Sequence, residues 1–123
     1  MDYERFAEEA FSGYPKLRYV GIVDASYRVL LSKMREGVQS VTLNESDRNF
    51  VQLMPPIILD GVEKLQPLLG KVDKVTVRYE KVILMFFRAG ENVVIMSFDP
   101  DITTPFISSL SDFMNTLTTK YLA

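Results

Sequence analysis

The 123-residue chain has no histidine and no cysteine, so proton transfer or metal ligation would fall to its 16 aspartates and glutamates. Thiol nucleophiles, thiolate zinc sites, imidazole ligands, Ser-His-Asp and Cys-His catalysis and disulfide frameworks are all excluded. Asp99 and Asp101 flank Pro100 where a helix should begin. A hard cation or a phosphoryl group needs several converging oxygens. The sequence places no third carboxylate nearby, so capping of that helix is the stronger reading. Asp24 with Ser26 makes a turn before it makes a site, and Glu4, Glu8 and Glu9 form a solvated helix face. Ser32-Lys33 supplies the residue types of a serine–lysine dyad, but neighbours on a strand point to opposite faces and cannot meet. The glycines are scattered, with neither GxGxxG nor GxxxxGK[ST], so no phosphate-cradling loop and no cofactor are expected.

The charge distribution is more informative. Residues 71–88 carry Lys71, Lys74, Arg78, Lys81 and Arg88 against Asp73 and Glu80, a local balance of +3 in a chain whose remainder is −5. Lys74, Arg78 and Lys81 are candidates for docking an acidic partner. The competing reading, lysines that blunt an edge strand against unwanted pairing, is favoured. Nucleic acid is not an expected partner, because the net charge is −2 and no aromatic stacking set accompanies the basic residues.

The composition that must position these groups is that of a soluble globular domain, 47% apolar and 24% charged. Residues 1–123 are expected to form one domain that hides roughly two-thirds of its unfolded surface without metal or disulfide. Val82–Phe87 is the longest apolar run, too short to span a bilayer. Met1-Asp2-Tyr3-Glu4-Arg5 does not read as a secretory signal, so a cytoplasmic protein with no membrane insertion is expected.

Apolar spacing predicts a helix over 2–12, through Tyr3, Phe6, Ala7, Ala10 and Phe11, stopped by Gly13 and Pro15. Leu17–Val23 and Arg28–Met34 read as a hairpin turned at Asp24-Ala25-Ser26-Tyr27. Thr42 with Glu45 fits a capping box, and Asn44 is a rival cap, for a helix over about 45–69. In that helix Phe50, Val51, Leu53, Met54, Ile57, Ile58, Val62, Leu65, Leu68 and Leu69 share one side. They spread over about 180°, wider than the stripe of about 100° that one core contact needs. Leu59 lies outside even that arc. Pro55-Pro56 should kink or restart the helix, because proline lacks a donor and clashes with the preceding turn. Lys74–Tyr79 alternates like a strand with one wet face, whereas Val82–Phe87 and Val93–Phe98 are apolar on both faces. Ile102, Phe106, Leu110, Phe113, Met114, Leu117 and Tyr121 line a last helix with Pro105 near its start.

The order α-β-β-α-β-β-β-α, with two strands apolar on both faces, implies an α+β fold: a five-stranded antiparallel sheet sandwiched between helices. The long middle helix would cover one face and the two terminal helices the other, with the strand at 72–79 at an edge. Gly21-Ile22-Val23-Asp24-Ala25-Ser26, Leu69-Gly70-Lys71, Tyr79-Glu80-Lys81-Val82 and Val94-Ile95-Met96-Ser97-Phe98 carry a resemblance over about residues 17–117. In this text and order the chain resembles the roadblock / dynein light chain family, a branch of the profilin-like and longin-like folds, and in particular a group of small archaeal roadblock-like proteins. The family usually has glycine where Tyr27 stands. A bulky residue held at positive φ there costs on the order of 1 kcal/mol, or else the turn differs.

The over-wide apolar arc is the main functional signal, since a helix facing both its own sheet and another subunit needs more than one stripe. The resemblance implies a homodimer or heterodimer through this helix and the neighbouring edge strand. That places Val51, Ile58, Leu59 and Val62 on the helix and Val75, Val77 and Tyr79 on the strand at the dimer interface. It further implies a non-enzymatic scaffold or regulatory module whose protein partner is a small GTPase or a larger motor or membrane-associated complex. The alternative is a PAS-like small-molecule sensor. Val23–Ser26 followed by Arg28-Val29-Leu30 resembles the opening hairpin of such domains, and Met54, Met85, Met96 and Met114 could line an adaptable pocket. The run of short helices expected there between the second and third strands is missing from this chain.

Overall fold

The computed structural model describes residues 1–40 and 45–122. The first two strands form a hairpin at one side of the sheet. Strand β1, Leu17–Val23, pairs antiparallel with β2, Val29–Met34. Between them the Asp24 carboxylate accepts from the backbone N–H groups of Ser26 and Arg28, both at 2.9 Å. These bonds, led by that from Arg28, hold the Asp24 carboxyl below its ordinary value. Tyr27 sits at φ 65°, so the turn keeps the left-handed residue that glycine would occupy without strain.

Strands β3, Val75–Arg78, β4, Ile83–Ala89, and β5, Asn92–Phe98, complete the sheet in the order β2-β1-β5-β4-β3, with every neighbour antiparallel. The position of each strand follows from its side chains. Central β5 is buried along its whole length and β4 nearly so, while alternating β3 lies at an edge as its pattern requires.

Helices α1, Tyr3–Gly13, and α4, Thr104–Tyr121, cover one face. Asp2 caps α1 by accepting from the Arg5 N–H at 3.0 Å, which satisfies one of the free donors of the first turn. At the other end Arg35 donates to the carbonyls of Phe11, Tyr14 and Leu17 at 2.6–2.7 Å. Phe6, Phe98, Leu17, Met96 and Leu110 form the main core between these helices and the sheet. The Tyr14 ring meets Phe106 and Phe113 edge-on, locking α1 to α4.

The cap of α4 differs from expectation. Thr103, not the preceding aspartates, is the N-cap and accepts from the Phe106 N–H. Asp99 and Asp101 instead pair with Arg18 at 2.8 Å and with Lys16, tying the start of β1 to the β5–α4 loop. The basic partners lie 81 and 85 residues away in sequence, out of reach of any local capping pattern.

Helix α2, Glu45–Val62, covers the other face, lying over β1, β5 and β4. The expected break at Pro55-Pro56 does not occur there. The helix runs through both prolines, and the interruption is a 3-10 turn at Glu63–Leu65 before α3, Gln66–Leu69, which has Pro67 in its first turn. Pro55 and Pro56 are buried, so apolar packing of their rings offsets the loss of two helical donors. Gly70, at φ 90°, ends the segment. The proposed caps Thr42 and Asn44 lie outside the described residues.

Candidate functional site

The two sides of α2 are reversed relative to an ordinary surface helix. Its buried side is narrow: Pro55, Pro56 and Leu59, the last 1% exposed among Val23, Phe86, Val93 and Ile95. At 100° per residue, Leu59 lies about 180° from Phe50, so a helix seated on Leu59 turns Phe50, Leu53 and Ile57 outward. Phe50 is 61% exposed and Ile57 60%, and the apolar surface continues through Leu65 to Leu68, 82% exposed. Large contiguous apolar surface of this kind marks an interaction site far more often than free surface.

An ion-pair clamp fixes that presentation. Arg88 on β4 reaches across to Asp60 at 3.0 Å and to Glu63, at the C-terminal end of α2. The bond to Glu63, and then that to Asp60, holds the guanidinium charged even more firmly than usual, against the pull of partial burial. With one end held by this clamp and the middle by Leu59, rotation of the apolar side into the sheet is blocked.

Edge strand β3 lies beside this face. Among the described residues its only partner is β4, in the register Val75↔Phe86 to Arg78↔Ile83, so its outer edge carries unpaired backbone groups. Val75 and Val77 are half-buried against the small α2-side core, and Tyr79 just beyond is exposed.

The expected interface residues therefore divide. Val62 and Tyr79 are exposed, and Val51, Ile58, Val75 and Val77 are half-buried. Leu59 does not belong with them. It is covered by its own sheet, because the prolines and Leu59 supply the inner side of the helix. Within the wide arc, Phe50, Leu53 and Ile57, none of them among the expected interface residues, are the most outward apolar residues of α2 together with Val62. The available signal was the spacing of Pro55 and Pro56 with Leu59, which makes one short apolar stripe opposite Phe50.

The three candidate docking cations also separate. Lys74 donates to Asp73 at 2.7 Å and to Ser111 on α4 at 2.6 Å. The Lys74 ammonium, and secondarily the Ser111 hydroxyl, hold the Asp73 carboxyl below its ordinary value. Arg78 donates to the carbonyls of Pro100 and Ile102. Both side chains thus anchor β3 to α4 and its leading loop, and only Lys81 makes no hydrogen bond or ion pair among the described residues.

No group of three or more carboxylates able to hold a metal occurs among the described residues, and no described helix is long and apolar enough to cross a membrane. Of the methionines expected to line a pocket, only Met54 borders the large cavity of the molecule, beneath α2. Met85, Met96 and Met114 belong to the core on the opposite face of the sheet.

No family model matches the sequence, and no curated protein resembles it. Solved structures do resemble it in fold. A Roadblock/LC7 domain from Streptomyces avermitilis superposes with a TM-score of 0.72 at 11% identity, over 98% of this chain and 94% of that one. The gliding protein MglB from Thermus thermophilus gives 0.72 at 17% identity, over 96% and 88%. An MglB solved in a tetrameric arrangement gives 0.68 at 17% identity, over 96% and 90%. Superposed at these TM-scores over nearly the whole of each chain, the chain has the fold of a Roadblock/LC7 domain.

Proposed function

We propose that this chain is a non-enzymatic interaction module that dimerises through α2 and the edge of β3. One observation carries the reading: the apolar side of α2, from Phe50 through Ile57 towards Leu68, points away from its own sheet. Helix α2 begins over the Tyr79 end of β3 and finishes near Arg88, beyond the Val75 end, so the helix and the strand run in opposite directions. A two-fold axis beside β3 pairs two such strands antiparallel and lays two α2 helices antiparallel across the junction. Phe50, Leu53, Ile57 and Val62 then meet the other copy, while Val51, Ile58, Val75, Val77 and Tyr79 line the seam. The tetrameric MglB shows that one protein of this fold self-assembles.

The continuous sheet and paired helices would present a composite surface to a further protein. The resemblance in sequence implies a small GTPase or a larger complex as that partner, with Lys81 the cation available to an acidic contact.

Sedimentation equilibrium tests the assembly. The protein is expected to sediment as a dimer at micromolar concentration, and Ile57→Glu to sediment as a monomer with native circular dichroism. A wild-type protein that remains strictly monomeric at high micromolar concentration overturns the reading.

A further inference from the structure

The N-terminal half of α2 is tied to the sheet by Gln52, whose amide donates to Tyr19 and Ser32, but does not pack flush against it. Beneath it lies a partly open cavity of about 680 Å³, within the range of about 300–1,000 Å³ typical of ligand pockets. Its floor is one register row, Tyr19 on β1 opposite Ser97 on β5 opposite Leu84 on β4, with Met34 on β2 beyond Tyr19. Two features of the sequence open this space. Ser97 is small where a helix-covered central strand ordinarily carries a large apolar residue. Tyr19 lies down along its own strand, which the missing side chain at Gly21 permits: a Cβ there would sit 2.5 Å from the Tyr19 hydroxyl oxygen. That hydroxyl is held down by Gln52 Nε2 at 2.6 Å and Ser32 Oγ at 3.0 Å.

The cavity also has unused polar capacity. Ser97 is 8% exposed, and its hydroxyl makes no hydrogen bond among the described residues. In the roof, the Gln52 carbonyl faces Pro55 and Pro56 at the third and fourth positions along the helix, and neither can donate to it. The remaining walls are apolar, led by Met54, Val82 and Leu84, with the exposed Phe50 at the edge; of the cations that border them, Arg18 is already paired with Asp99, and Lys81 lies near Glu80.

We infer that this cavity is a binding site for a small anionic amphiphile, with its alkyl chain among Met54, Val82 and Leu84 and its carboxylate towards Lys81. The cavity lies within one protomer, but Phe50, Val51 and Tyr79 on its lining also belong to the proposed dimer contact, so the test includes the monomeric variant. Methionines suit such a site because their flexible side chains adapt to the shape of the chain they meet.

The test uses decanoate as the probe and the methyl groups of the methionines as reporters in the full-length protein. Decanoate is expected to shift the Met34 and Met54 methyl resonances saturably and leave Met85, Met96 and Met114 in place. The neutral analogue 1-decanol is expected to bind at least tenfold more weakly, and Lys81→Glu to weaken decanoate binding on the order of fivefold. Ser97→Leu fills the floor and is expected to abolish the shifts; if that variant does not fold, Leu84→Trp serves the same purpose. No shift at Met34 and Met54 up to the solubility limit of decanoate overturns the inference. So does unchanged binding in a folded, cavity-filled variant, which would mark adsorption to the outer side of α2. Binding equal to that of 1-decanol removes the anionic head group. Binding seen only in the monomeric Ile57→Glu protein would show that a second copy occupies the space, and overturns the inference for the assembled protein.

Discussion

The two faces of the sheet are built on opposite principles. On the α1 and α4 face, two helices bury their apolar sides against Leu17, Met96 and Phe98, and aromatic edges close the seam between them. On the α2 face the helix rests on Pro55, Pro56 and Leu59 over four buried sheet residues, Val23, Phe86, Val93 and Ile95, and its larger apolar side points out. The first face stabilises the protomer. The second leaves its larger apolar side unburied within the protomer, as the proposed interaction role requires.

The largest expected difference between the faces is in stability. Phe98→Ala empties a fully buried site in the main core and is expected to cost about 3–5 kcal/mol, while Leu59→Ala in the small cluster is expected to cost about 2 kcal/mol. Urea denaturation of both variants measures the contrast, and equal losses would break the distinction between a load on one face and a display on the other. Leu59→Glu sharpens it further. It would bury an unpaired charge and destabilise the protomer itself, unlike Ile57→Glu, whose expected effect on protomer stability is within about 0.5 kcal/mol.

Next in size is the clamp. Glu63→Gln removes a charge from the Arg88 pair while keeping its shape. Because the pair is partly exposed, a loss of about 1 kcal/mol is expected, well short of the value for a buried ion pair. If the clamp orients α2, amide exchange should accelerate in residues 45–62 and stay unchanged in α1 and α4. Uniform acceleration across both faces would make Arg88 an ordinary contributor to stability.

How much of this could be read from the sequence follows the same division. The strands and the three-layer order were legible because β4 and β5 are apolar on both faces and β3 alternates, so burial and edge position follow from residue type alone. Leu17–Val23 carries the strand pattern without ambiguity. The orientation of α2 was not legible. A wide apolar arc says that two sides are covered but not which one the sheet takes. Pro55 and Pro56 were weighed as helix breakers rather than as the apolar groups that seat the helix. The ion pairs of Asp99 and Asp101 were equally hidden, because their partners Arg18 and Lys16 are brought near only by the β1–β5 pairing. The cavity floor depends on a rotamer of Tyr19 over Gly21, which composition and periodicity do not encode.

A smaller effect is expected where the display face meets its hairpin. Tyr27 holds a left-handed backbone conformation, and its hydroxyl reaches Asp60 only at 3.4 Å. Replacing Tyr27 with glycine relieves the backbone strain and increases the freedom of the unfolded chain, with a net gain of about 0.5 kcal/mol expected. A loss in thermal melting would mean that the contact with Asp60 contributes more to seating α2 than its length suggests.

The smallest expected effect lies on the opposite side of the sheet and appears only with acid. The Lys74 ammonium, with help from Ser111, holds the folded-state pKa of Asp73 below its ordinary value of 3.8. A carboxylate whose pKa is depressed by folding stabilises the native state at all pH values above the unfolded value. That contribution disappears as pH falls through 3.8 and the lower folded-state value. Wild-type protein should therefore lose its advantage over Asp73→Asn as the pH drops below about 4, and the two should converge in more acid solution. Because the Asp73 side chain is 60% exposed, solvent screening keeps the difference small. Denaturation midpoints across this pH range decide the matter. A constant offset between the two proteins would show that Asp73 acts through shape rather than charge, and that β3 is fastened to α4 by Lys74 and Ser111 alone.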